Sequence, residues 1–116
     1  ILCVSCSLSN VTRNILGYRE FCQMKSSAIL VNVARGGVID QDGLVRALSE
    51  RRIYGAGLDV TVPEPLPVGH PLLSLSNCIV VPHIASATHE TRNQMAVTAV
   101  ENLCAGLLGE PLLHSV

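Results

Sequence analysis

The chain has 116 residues, of which 48% are hydrophobic and 15% charged, and eight Lys and Arg against nine Asp and Glu give a net charge of −1. This length corresponds to one domain of ordinary size, and the apolar fraction excludes intrinsic disorder. Basic runs are missing and only 3% of residues are aromatic. We therefore expect a globular domain without a nucleic-acid partner.

The apolar residues occur in short runs. The mean hydropathy of +0.41 is high for a small domain, but runs such as residues 28–31 and 79–81 are far shorter than the about 20 residues of a membrane helix. We therefore expect no membrane segment. Short apolar runs are typical of strands buried on both faces of a parallel sheet. The chain also begins inside such a run, so we expect a fragment whose other half covers part of this apolar surface.

The cysteines indicate a reducing environment. Their odd count fits free, intracellular thiols and a cytoplasmic location. Cys3 and Cys6 have a C-x-x-C spacing, but on a strand these two side chains point to opposite faces. A metal or redox role is therefore disfavoured, and buried strand cysteines are expected instead. The five cysteines are Cys3, Cys6, Cys22, Cys78 and Cys104.

Strands and helices are predicted to alternate. Asp40 is the expected N-cap of the second helix and Ser86 or Thr88 that of the last, which Gly109 ends. This alternation predicts β-α-β units and a parallel sheet with helices on both faces. In chain order we predict a strand at 1–7, a helix at 18–25, a strand at 28–34, a helix at 41–50, a strand at 55–60, a proline-rich linker at 63–71, a strand at 78–81 and a helix reaching about residue 108.

Ionisable side chains follow the predicted strands at one edge of the sheet, where ligands of parallel sheets bind. His83 could exchange a proton with a carbonyl or hydroxyl oxygen, and a neighbouring Glu64 would favour the charged imidazolium. Arg35 could bind a substrate carboxylate through two parallel hydrogen bonds. Together with Asp59, these residues suit a carbonyl/alcohol interconversion in which a nicotinamide supplies hydride.

Each of these residues also has an ordinary structural interpretation. Arg35 and Glu64 could be solvated surface charges, His83 a capping or core histidine, and Asp59 the cap of a turn. A G-x-G-x-x-G phosphate loop is missing from the 116 residues, which weakens a nucleotide-binding interpretation.

Three motifs resemble the signatures of the D-isomer-specific 2-hydroxyacid dehydrogenases. They are residues 32–40 (NVARGGVID), residues 57–60 with 63–65 (GLDV and PEP), and residues 82–88 (PHIASAT). Their order and spacing are those of the family, and the resemblance covers nearly the whole chain. Residues 65–73 and 87–93 look most like the glyoxylate and hydroxypyruvate reductase branch of the family.

The resemblance implies a Rossmann-like nucleotide-binding domain that reduces glyoxylate or hydroxypyruvate with NADPH or NADH. It implies that His83 is the acid/base, Glu64 the carboxylate that tunes it, and Arg35 the cation that binds the substrate. The residues implied to contact the cofactor are Ser7, Val33, Arg35, Asp59, His83 and Ala85, and those implied to contact the 2-oxo acid are Arg35, His83 and Ser86.

The resemblance also implies that residues 1–116 are only the C-terminal part of the nucleotide-binding and catalytic domain. The substrate domain and the glycine-rich loop would lie outside the chain, and the whole enzyme would be a homodimer. Two alternatives stay open from the sequence. Corepressors of the same fold bind dinucleotide mainly to drive assembly, and a truncated product would be inactive.

Overall fold

A four-stranded parallel sheet forms the centre of residues 1–85. Its strands lie in the order β1-β2-β3-β4, so each pairs with the next one along the chain. The structure, a computed structural model, describes residues 1–114. It confirms all four predicted strands, each shorter than its apolar run. They are β1 (Leu2–Val4), β2 (Ile29–Asn32), β3 (Gly55–Leu58) and β4 (Cys78–Val80).

Two helices pack against one face of this sheet. They are α1 (Tyr18–Gln23) and α2 (Gln41–Ser49), and short 3₁₀ turns occupy Gly36–Val38 and Pro71–Leu73. Asp40 stands at the N-cap of α2 as predicted, but its side chain makes no capping hydrogen bond. The largest apolar side chains without exposed surface are Phe21, Leu30, Val38, Leu44, Leu48, Ile53 and Leu72.

The opposite face of the sheet is more open. It carries the alternate strand residues Val31, Gly57 and Ile79, and Ile79 is 70% exposed. Cys3 and Cys6 are exposed rather than buried, which corrects the expectation from the sequence. Cys3 lies on β1, an edge strand of which only Val4 is buried, and Cys6 lies beyond the end of this strand. The parallel sheet and the Rossmann-like class are nevertheless as predicted.

A second compact unit begins at Ser86 and contains the long helix α3 (His89–Leu108). Thr88, one of the two predicted caps, accepts a hydrogen bond from the backbone N–H of Thr91, and Gly109 ends the helix in the left-handed region at φ +71°. Among residues 1–114, no helix combines the length and the apolar character that crossing a bilayer requires.

Candidate active site

His83 and Glu64 form a hydrogen-bonded pair just beyond the carboxyl end of β4. Nδ1 of His83 lies 2.5 Å from Oε1 of Glu64. Because an ionised carboxylate can only accept, Nδ1 carries the shared proton and Nε2 stays free to bind or release another. The side chains are 50% and 41% exposed, respectively, so both can be reached from solvent.

The backbone of His83 adopts a left-handed conformation, with φ of +54°. For a residue other than glycine such a conformation costs about 1–3 kcal/mol, so neighbouring contacts must hold it. The N–H of His83 donates to the carbonyl oxygens of Asp59, at 3.0 Å, and of Val81, at 3.1 Å. This backbone conformation directs the imidazole towards Glu64.

Asp59 fixes the residues that follow His83. Its carboxylate is buried and accepts hydrogen bonds from the backbone N–H of Ile84 at 2.6 Å and of Ala85 at 3.0 Å. Bonds to an ionised acceptor are stronger than neutral ones. Asp59 therefore positions the loop that carries the imidazole.

Asn32, the last residue of β2, organises the loop of Arg35. It has no exposed surface, its Oδ1 accepts from the N–H of Ala34 at 3.0 Å, and its Nδ2 donates to the carbonyl of Arg35 at 3.1 Å. The guanidinium of Arg35 donates to the carbonyl of Ala34 at 2.7 Å. The rest of this exposed cation is available to an anionic ligand.

The Arg35 loop and the Glu64 segment are packed backbone against backbone. A Cβ added at Gly36 would lie only 2.2 Å from the carbonyl oxygen of Thr61, so this contact requires glycine. Thr61 is itself buried, and its hydroxyl donates to the carbonyl of Pro63 at 2.9 Å.

Backbone hydrogen bonds join the three loops in series. The N–H of Asp59 donates to the carbonyl of Asn32, and the N–H of His83 donates to the carbonyl of Asp59. Arg35 makes no hydrogen bond to Glu64 or His83 within the described part of the chain. The loops therefore place a guanidinium, a carboxylate and an imidazole at one edge of the sheet, with only the last two in contact.

Three open cavities lie along this edge. The largest, about 580 Å³, is lined by Ser7, Val33 and Arg35 among others. A smaller one of about 210 Å³ is lined by apolar side chains together with Val33, Asp59 and Ala85. The third, about 470 Å³, contains Glu64 and His83.

Two of these cavities have a lining suited to a nicotinamide dinucleotide. A flat aromatic ring needs an apolar floor without protruding side chains, and a Cβ added at Gly57 in the smaller cavity would meet no atom within 4 Å. Ser7 and Arg35 line the adjacent cavity and offer polar groups to the rest of a cofactor. Ser86, the remaining predicted residue, is half-buried and is the first residue of the second unit; its contact with substrate stays a prediction.

Two side chains that hydrogen-bond to the loops of the site were not predicted from the sequence. Asn32 had a recognisable signal, since a polar residue at the end of an apolar run needs a hydrogen-bond partner when buried. Gln41 had none. Its Nε2 donates to the carbonyl of Val62 at 2.6 Å and its Oε1 accepts from the N–H of Val62 at 3.0 Å, across 21 residues of chain.

Comparison with known proteins identifies close relatives. The human glyoxylate reductase/hydroxypyruvate reductase is 52% identical over 94% of this chain, and the glyoxylate/hydroxypyruvate reductase B of Pectobacterium carotovorum is 53% identical over the same share. The NADPH-dependent glyoxylate/hydroxypyruvate reductase of Sinorhizobium meliloti, solved with NADP and malonate, superposes with a TM-score of 0.91 at 36% identity and covers 99% of the chain.

The chain spans about a third of the length of these relatives, since it covers 33% of the human protein, 34% of the Pectobacterium protein and 36% of the Sinorhizobium structure. Residues 1–85 match the family described as D-isomer specific 2-hydroxyacid dehydrogenase, NAD binding domain. This confirms the resemblance carried by the three motifs. The chain therefore belongs to the D-isomer specific 2-hydroxyacid dehydrogenases, and residues 1–85 correspond to their NAD-binding domain.

Proposed function

We propose that this chain is the later, catalytic part of the nucleotide-binding domain of an NAD(P)H-dependent reductase that converts glyoxylate or hydroxypyruvate to the 2-hydroxy acid. The observation that carries the proposal is the 2.5 Å contact between His83 and Glu64 at the ligand-binding edge of a parallel sheet. The identity of about 50% to reductases of these two substrates supports the substrate class.

His83 is the proposed proton donor. Its Nδ1 is held by Glu64, so its Nε2 is the atom that delivers a proton to the carbonyl oxygen as the hydroxyl forms. Glu64 stabilises the charged imidazolium before the transfer. A bound nicotinamide cofactor supplies the hydride. In the reverse direction the same nitrogen removes the proton from the hydroxyl.

Arg35 is the proposed substrate anchor. A 2-oxo acid carries a carboxylate beside the reacting carbonyl, and a guanidinium binds a carboxylate through two parallel hydrogen bonds. The bond from Arg35 to the carbonyl of Ala34 occupies only one of its donors. Arg35 therefore fixes the substrate while its electric field polarises the carbonyl.

The cofactor site is proposed at the two cavities that share Val33. Ser7 and Arg35 would contact the cofactor in the larger cavity, and Asp59 and Ala85 in the smaller one. The loop of His83 lies beside them. Ser86 is the proposed further contact of the 2-oxo acid.

The assembly and location are also proposals. The exposed apolar side chains of α3, among them Val100 and Leu103, support a homodimer of the whole enzyme. The five free thiols support a cytoplasmic location.

The test compares variants of the natural protein that carries this chain, with NADPH oxidation by hydroxypyruvate as the assay. His83→Asn removes the acid/base, and we expect kcat to fall about 10²–10⁴-fold. Asparagine is chosen because it tolerates the left-handed backbone better than alanine does. Turnover close to that of the unmodified protein would contradict the assignment of His83.

Glu64→Gln tests the pair. Glutamine keeps an acceptor for Nδ1 of His83 but removes the negative charge that Glu64 places beside the imidazole. We expect kcat for reduction to fall and the pH–kcat profile to change. Glu101→Gln, which changes an exposed carboxylate of α3, serves as the matched control. An unchanged profile for Glu64→Gln would count against the pair.

A further inference from the structure

Glu64 lies in a segment with few attachments to the rest of the fold. Residues 62–65 are all exposed and have no regular secondary structure. In the part of the chain that the structure describes, the only hydrogen bonds from the backbone of residues 62–66 to another element go to Gln41. Besides the backbone contact of Thr61 with Gly36, the place of the Glu64 carboxylate therefore depends on how firmly Gln41 holds Val62.

Gln41 binds the peptide groups of Val62 at two points. The amide donates to the carbonyl oxygen at 2.6 Å and accepts from the N–H at 3.0 Å. Two simultaneous hydrogen bonds fix both the position and the orientation of Val62, much as a neighbouring strand does. Val62 is two residues from Glu64, so a displacement of the Val62 backbone also displaces the Glu64 carboxylate.

The other end of this contact is rigid. Gln41 is the first residue of α2, and Leu44, Ala47 and Leu48 of the same helix have no exposed surface. The amide of Gln41 also lies 3.1 Å from Nε2 of His70, beyond the far end of the Glu64 segment. One half-buried side chain thus contacts residues on both sides of Glu64.

We propose that Gln41 is a positioning residue that holds Glu64 against His83 by binding the backbone of Val62 to the start of α2. This inference rests on the proposed reductase function, because it assigns Gln41 a role in the acid/base step. Among the described residues, the Gln41 side chain hydrogen-bonds to Val62 and His70 and not to the imidazole of His83 or the carboxylate of Glu64. Its proposed effect on the acid/base step therefore runs through the position of Glu64.

The first experiment uses Gln41→Met in the natural protein, because methionine has nearly the length of glutamine but forms neither hydrogen bond. We expect kcat for hydroxypyruvate reduction to fall about 10- to 100-fold, as for misplaced catalytic groups in general. KM for NADPH should stay unchanged. The pH–kcat profile should change in the same way as in Glu64→Gln. Gln23→Met, at the exposed end of α1, is the matched control and should behave like the unmodified protein.

A double variant tests the route. If Gln41 acts through Glu64, Gln41→Met adds nothing further to Glu64→Gln. An unaltered kcat and profile for Gln41→Met, or a full second loss of kcat in the double variant, would overturn the proposal. Gln41→Glu provides a second test should Gln41→Met fail to fold. It keeps the acceptor for the N–H of Val62 but sets a carboxylate oxygen against its carbonyl, so the same change of the profile is expected.

A readout without turnover separates this inference from the proposed function. In ¹⁵N-labelled protein the Nδ1 proton of His83 should give a downfield resonance that moves upfield in Glu64→Gln, because an amide oxygen is a weaker acceptor than a carboxylate. We expect Gln41→Met to weaken or remove it and Gln23→Met to keep it. Retention of the signal in Gln41→Met would overturn the positioning role. Absence of turnover in the unmodified protein would overturn the reductase function instead.

Discussion

At the scale of single residues, the site depends on backbone contacts as much as on its reactive side chains. Gly36 permits the Arg35 loop to lie against Thr61, and the carboxylate of Asp59 holds the loop that follows His83. Neither Gly36 nor Thr61 carries out chemistry. Their contact nevertheless sets the spacing between the guanidinium on one loop and the carboxylate on the other.

Gly36→Ala tests this contact. The new Cβ would lie 2.2 Å from the carbonyl oxygen of Thr61, and neither backbone can move away easily. We expect a loss of about 1–3 kcal/mol in the free energy of unfolding, typical of overpacking, together with a lower kcat. Gly69→Ala is the control, because a Cβ there meets no atom within 4 Å. Denaturant unfolding measures the free energy of unfolding of both variants. Equal values for Gly36→Ala and Gly69→Ala would contradict the close contact between Gly36 and Thr61.

At the scale of elements, α1 and α2 are joined by a charged cluster on the surface. Glu50, which follows α2, accepts hydrogen bonds from the Tyr18 hydroxyl at 2.5 Å, from Arg46 at 2.9 Å and from Arg52 at 3.0 Å. The guanidinium of Arg46 lies 3.8 Å from the centre of the Tyr18 ring. These three hydrogen bonds lower the pKa of Glu50 to about 2, and the bond from Tyr18 has the largest effect. The same bond raises the pKa of Tyr18.

This cluster predicts a pH dependence of stability. Because the pKa of Glu50 is lower in the folded chain than its ordinary value of 4.5, its contribution is complete above pH 4.5 and is lost as the pH falls towards 2. Glu50→Gln should remove this part of the acid sensitivity, whereas Glu101→Gln should keep it. Thermal unfolding between pH 6 and 2, a window of about four units that includes both pKa values of Glu50, measures the effect. If the melting temperatures of Glu50→Gln and the unmodified protein fell equally with pH, the proposed contribution of Glu50 would be contradicted.

At the scale of the whole molecule, the sheet of residues 1–85 has one face covered by the helices of its own unit, α1 and α2. The strand residues beside α1 and α2 are mostly buried, whereas Ile79 on the opposite face is 70% exposed. The chain also spans only about a third of its relatives. Several large apolar side chains of residues 1–85 are therefore left exposed, among them Val33, Tyr54 and Ile79.

The 116 residues by themselves are expected to bind NADPH weakly and to reduce little or no hydroxypyruvate. The proposed catalytic groups are present, but most of the length of the related reductases is not. Titration of the isolated chain with NADPH, followed by a turnover assay, measures both quantities. Size-exclusion chromatography under the same conditions shows whether the open face causes aggregation. Turnover comparable to that of a complete reductase would contradict the proposal.

The sequence was sufficient to predict the elements and the edge of the sheet that carries the site. The alternation of elements and the N-cap at Asp40 predicted α2, and the order of strands placed His83 and Glu64 at the same edge. The motif residues then indicated the family, which the comparisons confirmed. These signals are visible in sequence because they depend on local periodicity, on topology or on residue type.

The supporting contacts could not be predicted in this way. The bonds of Gln41 to Val62 connect residues 21 positions apart, and a glutamine at the start of a helix is most often a solvated side chain. The contact of Gly36 with Thr61 involves no side chain on either partner, so residue type gives little indication of it. The left-handed backbone of His83 likewise follows from tertiary hydrogen bonds rather than from local preference.

The partial exposure of the His83–Glu64 pair has a consequence for its strength. Water on one side of the two groups has a high dielectric constant and weakens their mutual attraction several-fold relative to a protein interior. Any surface that closes over this edge, whether substrate, cofactor or further polypeptide, displaces that water and strengthens the attraction. The pair would then reach its full electrostatic effect only when a ligand is enclosed, which limits unproductive proton exchange with solvent between turnovers.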